Sequence, residues 1–156
     1  MTEFSVEQLN EFIVRAKAAT YVGDGATVIP CRPGSHDLKF AEGDFAYLDS
    51  YFGGADFLGQ EVVYYRDEPV WVMNYYGRIL DPQRIRADEA GQIIKQSLSA
   101  MYKENRFLGG FEYTIDDDAY VDTSEGDPTM FTGKEWIERA GVRVYDLVYH
   151  GGLVKC

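Results

Sequence analysis

Apolar side chains recur at helical spacing near the start of the chain: Val6, Leu9, Phe12, Ile13, Ala16 and Ala19, with Glu7, Glu11, Arg15 and Lys17 elsewhere. Ser5 followed by Gln8 has the capping-box spacing, in which each side chain satisfies an orphan amide of the first turn. Together they predict a helix over about 5–19. Val22-Gly23-Asp24-Gly25-Ala26 and the stretch from Pro30 to Gly34 then break regular structure. From His36 onward the texture changes to β-branched and aromatic runs between Gly and Asp turns. Strands are predicted near 37–41, 44–52, 59–65 and 69–76, with turns at Glu42-Gly43-Asp44, Gly53-Gly54 and Asp67-Glu68-Pro69. Asp81-Pro82 could open a helix. The stronger helical pattern covers about 88–104, where Ile93, Ile94, Ser97, Leu98, Met101 and Tyr102 share a face. Strands follow near 111–116, 119–123, 129–139 and 142–150. Short connections between such strands imply antiparallel meanders. The fold class is α+β, two helices on antiparallel β-meanders, in a single domain over 1–156.

The second half echoes the first. Segment 57–77 aligns without gaps to 131–151, so that Phe57, Gly59, Glu61, Val70, Tyr75 and Gly77 meet Phe131, Gly133, Glu135, Val144, Tyr149 and Gly151. Each half, 1–78 and 79–156, reads as a helix followed by a meander, which points to a duplicated unit. The alternative is two unrelated hairpins sharing an F-x-G-x-E turn. With duplication, a pseudo-twofold cleft lies between equivalent strands, and Glu61 and Glu135 are equivalent carboxylates near its axis.

Composition narrows the chemistry. The chain has 12 Tyr, 9 Phe and 2 Trp, and tyrosine suits half-buried sheet faces and ligand pockets alike. Its net charge of −11, from 26 acidic and 15 basic residues, repels polyanions, and no stretch clusters Lys and Arg with interleaved aromatics. Direct nucleic-acid binding is not expected. No apolar run approaches the roughly 18 residues needed to span a bilayer, and the N-terminus shows no export signal. Cys31 and Cys156, without a CxxC pair, read as cytoplasmic thiols.

Several clusters carry candidate chemistry. Arg32-Pro33-Gly34-Ser35-His36-Asp37 gathers a guanidinium, a hydroxyl, an imidazole and a carboxylate. Adjacency alone makes no nucleophilic triad, and no G-x-S-x-G elbow is present, so a turn with Asp37 capping backbone amides is the expected role, with binding by Arg32 or His36 between these readings. His36 and His150 lack zinc-site spacing, and no metal or cofactor is expected. Gly23-x-Gly25 is too short for a dinucleotide fingerprint. Asp116-Asp117-Asp118 lacks the later ligands of a calcium loop and reads as a solvated turn. On strand 69–76, Trp71, Met73 and Tyr75 face one way, and core packing best explains Trp71 and Met73. Asn74 and Tyr76 lie opposite, near Tyr47, Asp49 and Tyr51 of a neighbouring strand, and are the better pocket residues; His150 is the repeat counterpart of Tyr76.

The motifs Phe12-Ile13-Val14-Arg15-Ala16-Lys17, Tyr21-Val22-Gly23, Arg32-Pro33-Gly34-Ser35-His36-Asp37, Met73-Asn74-Tyr75-Tyr76-Gly77-Arg78 and Tyr149-His150-Gly151-Gly152 resemble a bacterial domain family of unknown function. Its members resemble free-standing proteins or the domain behind a helix-turn-helix (XRE-type) regulator, which implies a sensory or partner-binding role. The layout is more distantly similar to gyrase-inhibitor-like effector-binding domains, which hold cationic aromatic ligands around a buried carboxylate. The chain has no helix-turn-helix segment, so a regulatory role would need a separate partner.

The leading expectation is a small-molecule-binding domain without catalysis, its aromatic cleft carrying Glu61 and Glu135 with Tyr47, Asp49, Tyr51, Asn74, Tyr76 and His150, and with Arg32 and His36 nearby. One alternative is an enzyme pairing His36 or His150 with Asp49 or Glu61 as acid and base. Another is a protein-interaction module that partners a transcriptional regulator.

Overall fold

A computed structural model describes residues 3–22 and 27–155; Gly23 to Ala26 and Cys156, where sequence reading placed a break, a glycine pair and a thiol, lie outside the described residues. Helix α1 spans Val6–Lys17 and continues through a π-helical turn at Ala18–Val22. The Ser5 amide donates to Gln8 Oε1 at 2.8 Å and the Gln8 amide to Ser5 Oγ at 3.1 Å, so the capping box forms. Four strands follow the short β1 (Thr27–Val28): β2 (His36–Glu42), β3 (Phe45–Gly53), β4 (Phe57–Tyr65) and β5 (Glu68–Ile79). Helix α2 (Ala87–Tyr102) leads into β6 (Phe111–Ile115), β7 (Asp118–Asp127), β8 (Met130–Arg139) and β9 (Val142–Leu153). The α+β class and the meanders are as expected.

Two local expectations shift. The β4–β5 turn sits at Arg66 and Asp67, both with positive φ (49° and 68°), so Glu68 already belongs to the strand. Two-residue hairpins need such left-handed positions, which aspartate tolerates. No helix opens at Asp81-Pro82. The Asp81 carboxylate accepts from the Gln83 amide at 3.1 Å, turning the chain, and α2 begins only after the Arg86 amide reaches Glu89 Oε2 at 2.9 Å.

The nine strands of the described residues form one antiparallel sheet in the order β1-β2-β3-β4-β5-β9-β8-β7-β6. The two meanders meet at their last strands. In that central pairing Tyr75 lies opposite Tyr149, Asn74 opposite His150 and Tyr76 opposite Val148. Stepping one residue either way from the Tyr75–Tyr149 pair exchanges equivalent positions of the two halves, which is the register a twofold axis imposes. Register shifts recur at matching places, Val63/Tyr64 and Ile137/Glu138, and so do the hairpin turns, Arg66-Asp67 and Ala140-Gly141.

Both helices cover the same face. Phe12 of α1 stacks on Phe45 at 4.9 Å and lies 5.7 Å from Phe40, while the α2 side chains Ala90, Ile93, Ile94 and Ser97 are buried. Trp71, Tyr120, Tyr145, Val63 and Ile137 point from the sheet into this layer and are fully buried. On the opposite face Leu58, Tyr76 and Val148, neighbours across β4, β5 and β9, are exposed. Strand β5 is thus central but covered on one side only. No helix among the described residues is long and apolar enough to cross a membrane.

Candidate functional site

Between the helices and the sheet lies a cavity of about 260 Å³. Its floor is built by the inward positions of the central strands: Tyr47, Asp49 and Tyr51 from β3, Glu61 from β4, Met73 and Tyr75 from β5, and their counterparts in the second half. Helices contribute Lys17, Tyr21, Ala90, Ile94, Leu98 and Tyr102, and Gly53-Gly54-Ala55, Ala87 and Gly91 also line it.

The repeated F-x-G-x-E segment has a steric explanation. A Cβ at Gly59 would overlap the Tyr75 phenol, and one at Gly133 the Tyr149 phenol. Each glycine therefore leaves a trough through which a tyrosine from the adjacent strand crosses to the next strand but one. The Tyr75 hydroxyl reaches Asp49 Oδ1 at 2.6 Å and the Tyr149 hydroxyl Asp122 Oδ1 at 2.8 Å. The register sets each aspartate opposite a glutamate, Asp49 against Glu61 and Asp122 against Glu135. A second tyrosine serves each glutamate: Tyr47 donates to Glu61, and Tyr120 donates to Glu135. The sheet thus carries the same Asp–Glu–Tyr–Tyr group twice.

All four carboxyls are nearly inaccessible, with exposures of 4% for Asp49 and Glu61, 5% for Asp122 and 6% for Glu135. The two groups differ in one respect. The Lys17 ammonium, itself 6% exposed, donates to both Glu61 oxygens at 2.9 Å, touches Met73 Sδ at 3.7 Å and sits 5.4 Å from the Phe107 ring centroid. Among the described residues Glu135 has no such ion pair; its Oε1 accepts from the Tyr145 hydroxyl at 2.9 Å. Loss of hydration, then the neighbouring Glu61 charge, push the Asp49 carboxyl up to about 7 against the Tyr75 bond. Burial followed by the Glu135 charge push Asp122 up to about 7 in the same way. Burial also raises Glu135, opposed by the bonds from Tyr120 and Tyr145. These are the shifts expected of carboxyls withdrawn from water with too little positive charge nearby.

Of the residues expected at the site, Tyr47, Asp49, Tyr51, Glu61 and Glu135 line the cavity. Asn74, Tyr76 and His150 do not: they occupy the open face, where Asn74 accepts from the Gln60 amide at 2.9 Å. The helices cover the side bearing Trp71, Met73 and Tyr75, so the pocket and the core share a face. His36 is exposed and lies 5.0 Å from the Tyr51 ring, outside the cavity lining. Arg32 belongs to a latch on the other side. Its guanidinium donates to Ser50 Oγ at 2.9 Å, and buried Asp37 accepts from the Cys31 amide at 2.9 Å and from the Ser35 and Ser50 hydroxyls at 2.8 Å. Burial opposes ionisation of Asp37, but those bonds hold its carboxyl well below the usual range. Asp37 thus acts as the expected turn cap.

Lys17, Tyr75, Asp122 and Tyr149 escaped the sequence reading. Lys17 stands four residues after Ile13 and eight after Leu9, on the apolar stripe itself, where a lysine signals a buried partner. Carried upstream with a one-residue gap, the repeat alignment matches Asp49 with Asp122 and Tyr47 with Tyr120. Among the described residues no three His, Cys, Asp or Glu side chains cluster as metal ligands would.

Searches of curated proteins and of solved structures each found no match. Residues 49–154, which hold both Asp–Glu groups, match the family model for a domain of unknown function, DUF5680, and the chain belongs to that family.

Proposed function

We propose that this is a ligand-binding domain whose cavity takes a small cationic aromatic molecule and performs no chemistry on it. One observation carries the reading: among the described residues, a cavity walled by Tyr21, Tyr47, Tyr51, Phe57, Tyr102 and Phe107 holds four buried carboxyls against a single ammonium. Ionised carboxylates deprived of water need a cation, a donor or a proton, and aromatic faces attract cations. The Glu61 charge is matched by Lys17, so the unmet demand lies with Asp49, Asp122 and Glu135. An acid–base mechanism would need His36 or His150 beside Asp49 or Glu61. The first is exposed outside the lining, and the second sits on the opposite face of the sheet.

The test is a thermal-shift screen of lipophilic aromatic cations against neutral isosteres at pH 8, above the value of about 7 at Asp49 and Asp122. The cations should raise the melting temperature and the neutral compounds should not. Gly91 lines the cavity from α2 with nothing within 4 Å of an added Cβ. Gly91→Trp should therefore fold, fill the space and erase the shift. A cation-induced shift that survives in Gly91→Trp would place binding outside the cavity and defeat the reading.

A further inference from the structure

The cavity contains its own indication of what it binds. Counting from their capped first turns, α1 and α2 correspond residue by residue: Leu9 with Ala90, Ile13 with Ile94, Ala16 with Ser97, Lys17 with Leu98 and Tyr21 with Tyr102. The first three pairs are buried and the last two line the cavity. On the sheet, Tyr47 and Tyr75 serve Glu61 and Asp49 as Tyr120 and Tyr149 serve Glu135 and Asp122. The polar arrangement repeats, except that the first half supplies an ammonium to its glutamate, whereas the second supplies the apolar Leu98 from the helix and the Tyr145 hydroxyl from the sheet.

We propose that the ligand carries a compact protonated amine, which takes at Glu135, opposite Asp122, the place the Lys17 ammonium takes at Glu61, opposite Asp49. This rests on the cation-binding reading above and narrows it to arylalkylammonium ions. In the first half the recognised group is seen directly: a primary ammonium donating to both carboxylate oxygens with a phenol hydroxyl alongside. A quaternary ammonium has no N–H to donate and is bulkier, so it cannot reproduce those bonds. In the second half Tyr145 supplies Glu135 with a neutral donor, which satisfies a lone pair and leaves the negative charge unmatched. Lys17 acts on Asp122 and Glu135 only through space, without a hydrogen bond to either. The aromatic rings of the walls would hold the body of the ligand, and the volume, below the roughly 300–1,000 Å³ of common ligand pockets, suits a single ring system on a short chain.

The experiment uses the full chain at pH 8 with three matched series in calorimetric titrations: arylalkylamines from benzylamine to tryptamine, their N-trimethyl derivatives, and the corresponding alcohols. The amines should bind one-to-one, at least tenfold more tightly than either other series. Glu135→Gln should lose at least tenfold in amine affinity. Leu98→Lys should install the missing ammonium, raise the melting temperature without ligand and abolish amine binding, whereas Leu98→Met should retain it. If Glu135→Gln does not fold, the Leu98 pair decides. Trimethyl derivatives binding as tightly as the amines, or amine binding unchanged in Leu98→Lys, would overturn this assignment while leaving a cation-binding cavity. No binding in any series would overturn both.

Discussion

Tyr75 and Tyr149 stand opposite each other at the centre of the sheet, and each reaches across a glycine of its own half to an aspartate, Asp49 or Asp122. The glycine, the tyrosine and the aspartate form one unit, and it is the unit, more than any single residue, that the repeat preserves.

Gly133→Ala should therefore destabilise the fold by about 1–3 kcal/mol, the usual range for overpacking a filled core. The new methyl overlaps the Tyr149 ring itself, which must leave its seat and take its hydroxyl away from Asp122. Urea unfolding measures the loss. A variant as stable as the parent would mean that the ring does not cross the strand there.

The Lys17–Glu61 pair gives a second expectation. Removing one partner of a buried pair strands the other charge, at a cost of roughly 3–5 kcal/mol. Lys17→Met should show that loss, and Lys17→Met with Glu61→Gln should recover most of it. A double-mutant cycle from denaturant unfolding reads the coupling; additive losses would show that the two groups do not depend on each other.

Stability should also fall as pH rises from about 4 to about 7 and level off above that, opposite to the trend of a carboxylate held by donors or an ion pair. Asp49 and Asp122 ionise near 7 when folded against 3.8 as free side chains. Between those values the folded chain holds protons that the unfolded chain has released, so each pH unit gained in that window favours unfolding by at most about 1.4 kcal/mol per group. Below the window Asp37, held low by its donors, acts in the reverse sense and its contribution is lost with acid. Melting temperatures across pH should thus peak on the acid side of neutrality. Asp49→Asn or Asp122→Asn should flatten the falling slope, and an unchanged slope in both variants would assign it to other groups.

On the opposite face, Asp37→Ala should release the segment from Cys31 to Ser35, because Cys31, Arg32 and Ser35 bond to Asp37 or Ser50, and Ser50 in turn donates to Asp37. Limited proteolysis should cut there first, and global stability should drop by about 1–3 kcal/mol for the buried groups left without partners. Amine binding in the cavity should persist, since none of these residues lines it.

How much of this was legible in the sequence depends on the range of the interaction. Period and turn chemistry are local, so both helices and eight strands could be placed; β1, two residues long, left no periodic signal. Alternation assigned Trp71, Met73 and Tyr75 to one face and Asn74 and Tyr76 to the other, correctly. Which face the helices would cover is set by long-range packing, and Asn74, Tyr76 and His150 lie on the face opposite the cavity. Glu61 and Glu135 stood out because an apolar face makes a carboxylate conspicuous. Lys17 did not, because lysine on a helix is ordinarily solvated, and only its place in the stripe betrayed it.

The seam between the meanders has a consequence for either half alone. A helix with β2 to β5, or with β6 to β9, would end in its longest strand with the backbone donors and acceptors of one edge unmet, an adhesive edge of the sort that recruits further strands. The register around Tyr75 and Tyr149 is self-complementary, so two identical halves could close that edge against each other and leave only their short outer strands exposed. Joining the halves in one chain makes that closure intramolecular, independent of concentration. It also frees the two acidic groups to diverge, one taking a lysine and the other a leucine, which identical subunits could not do.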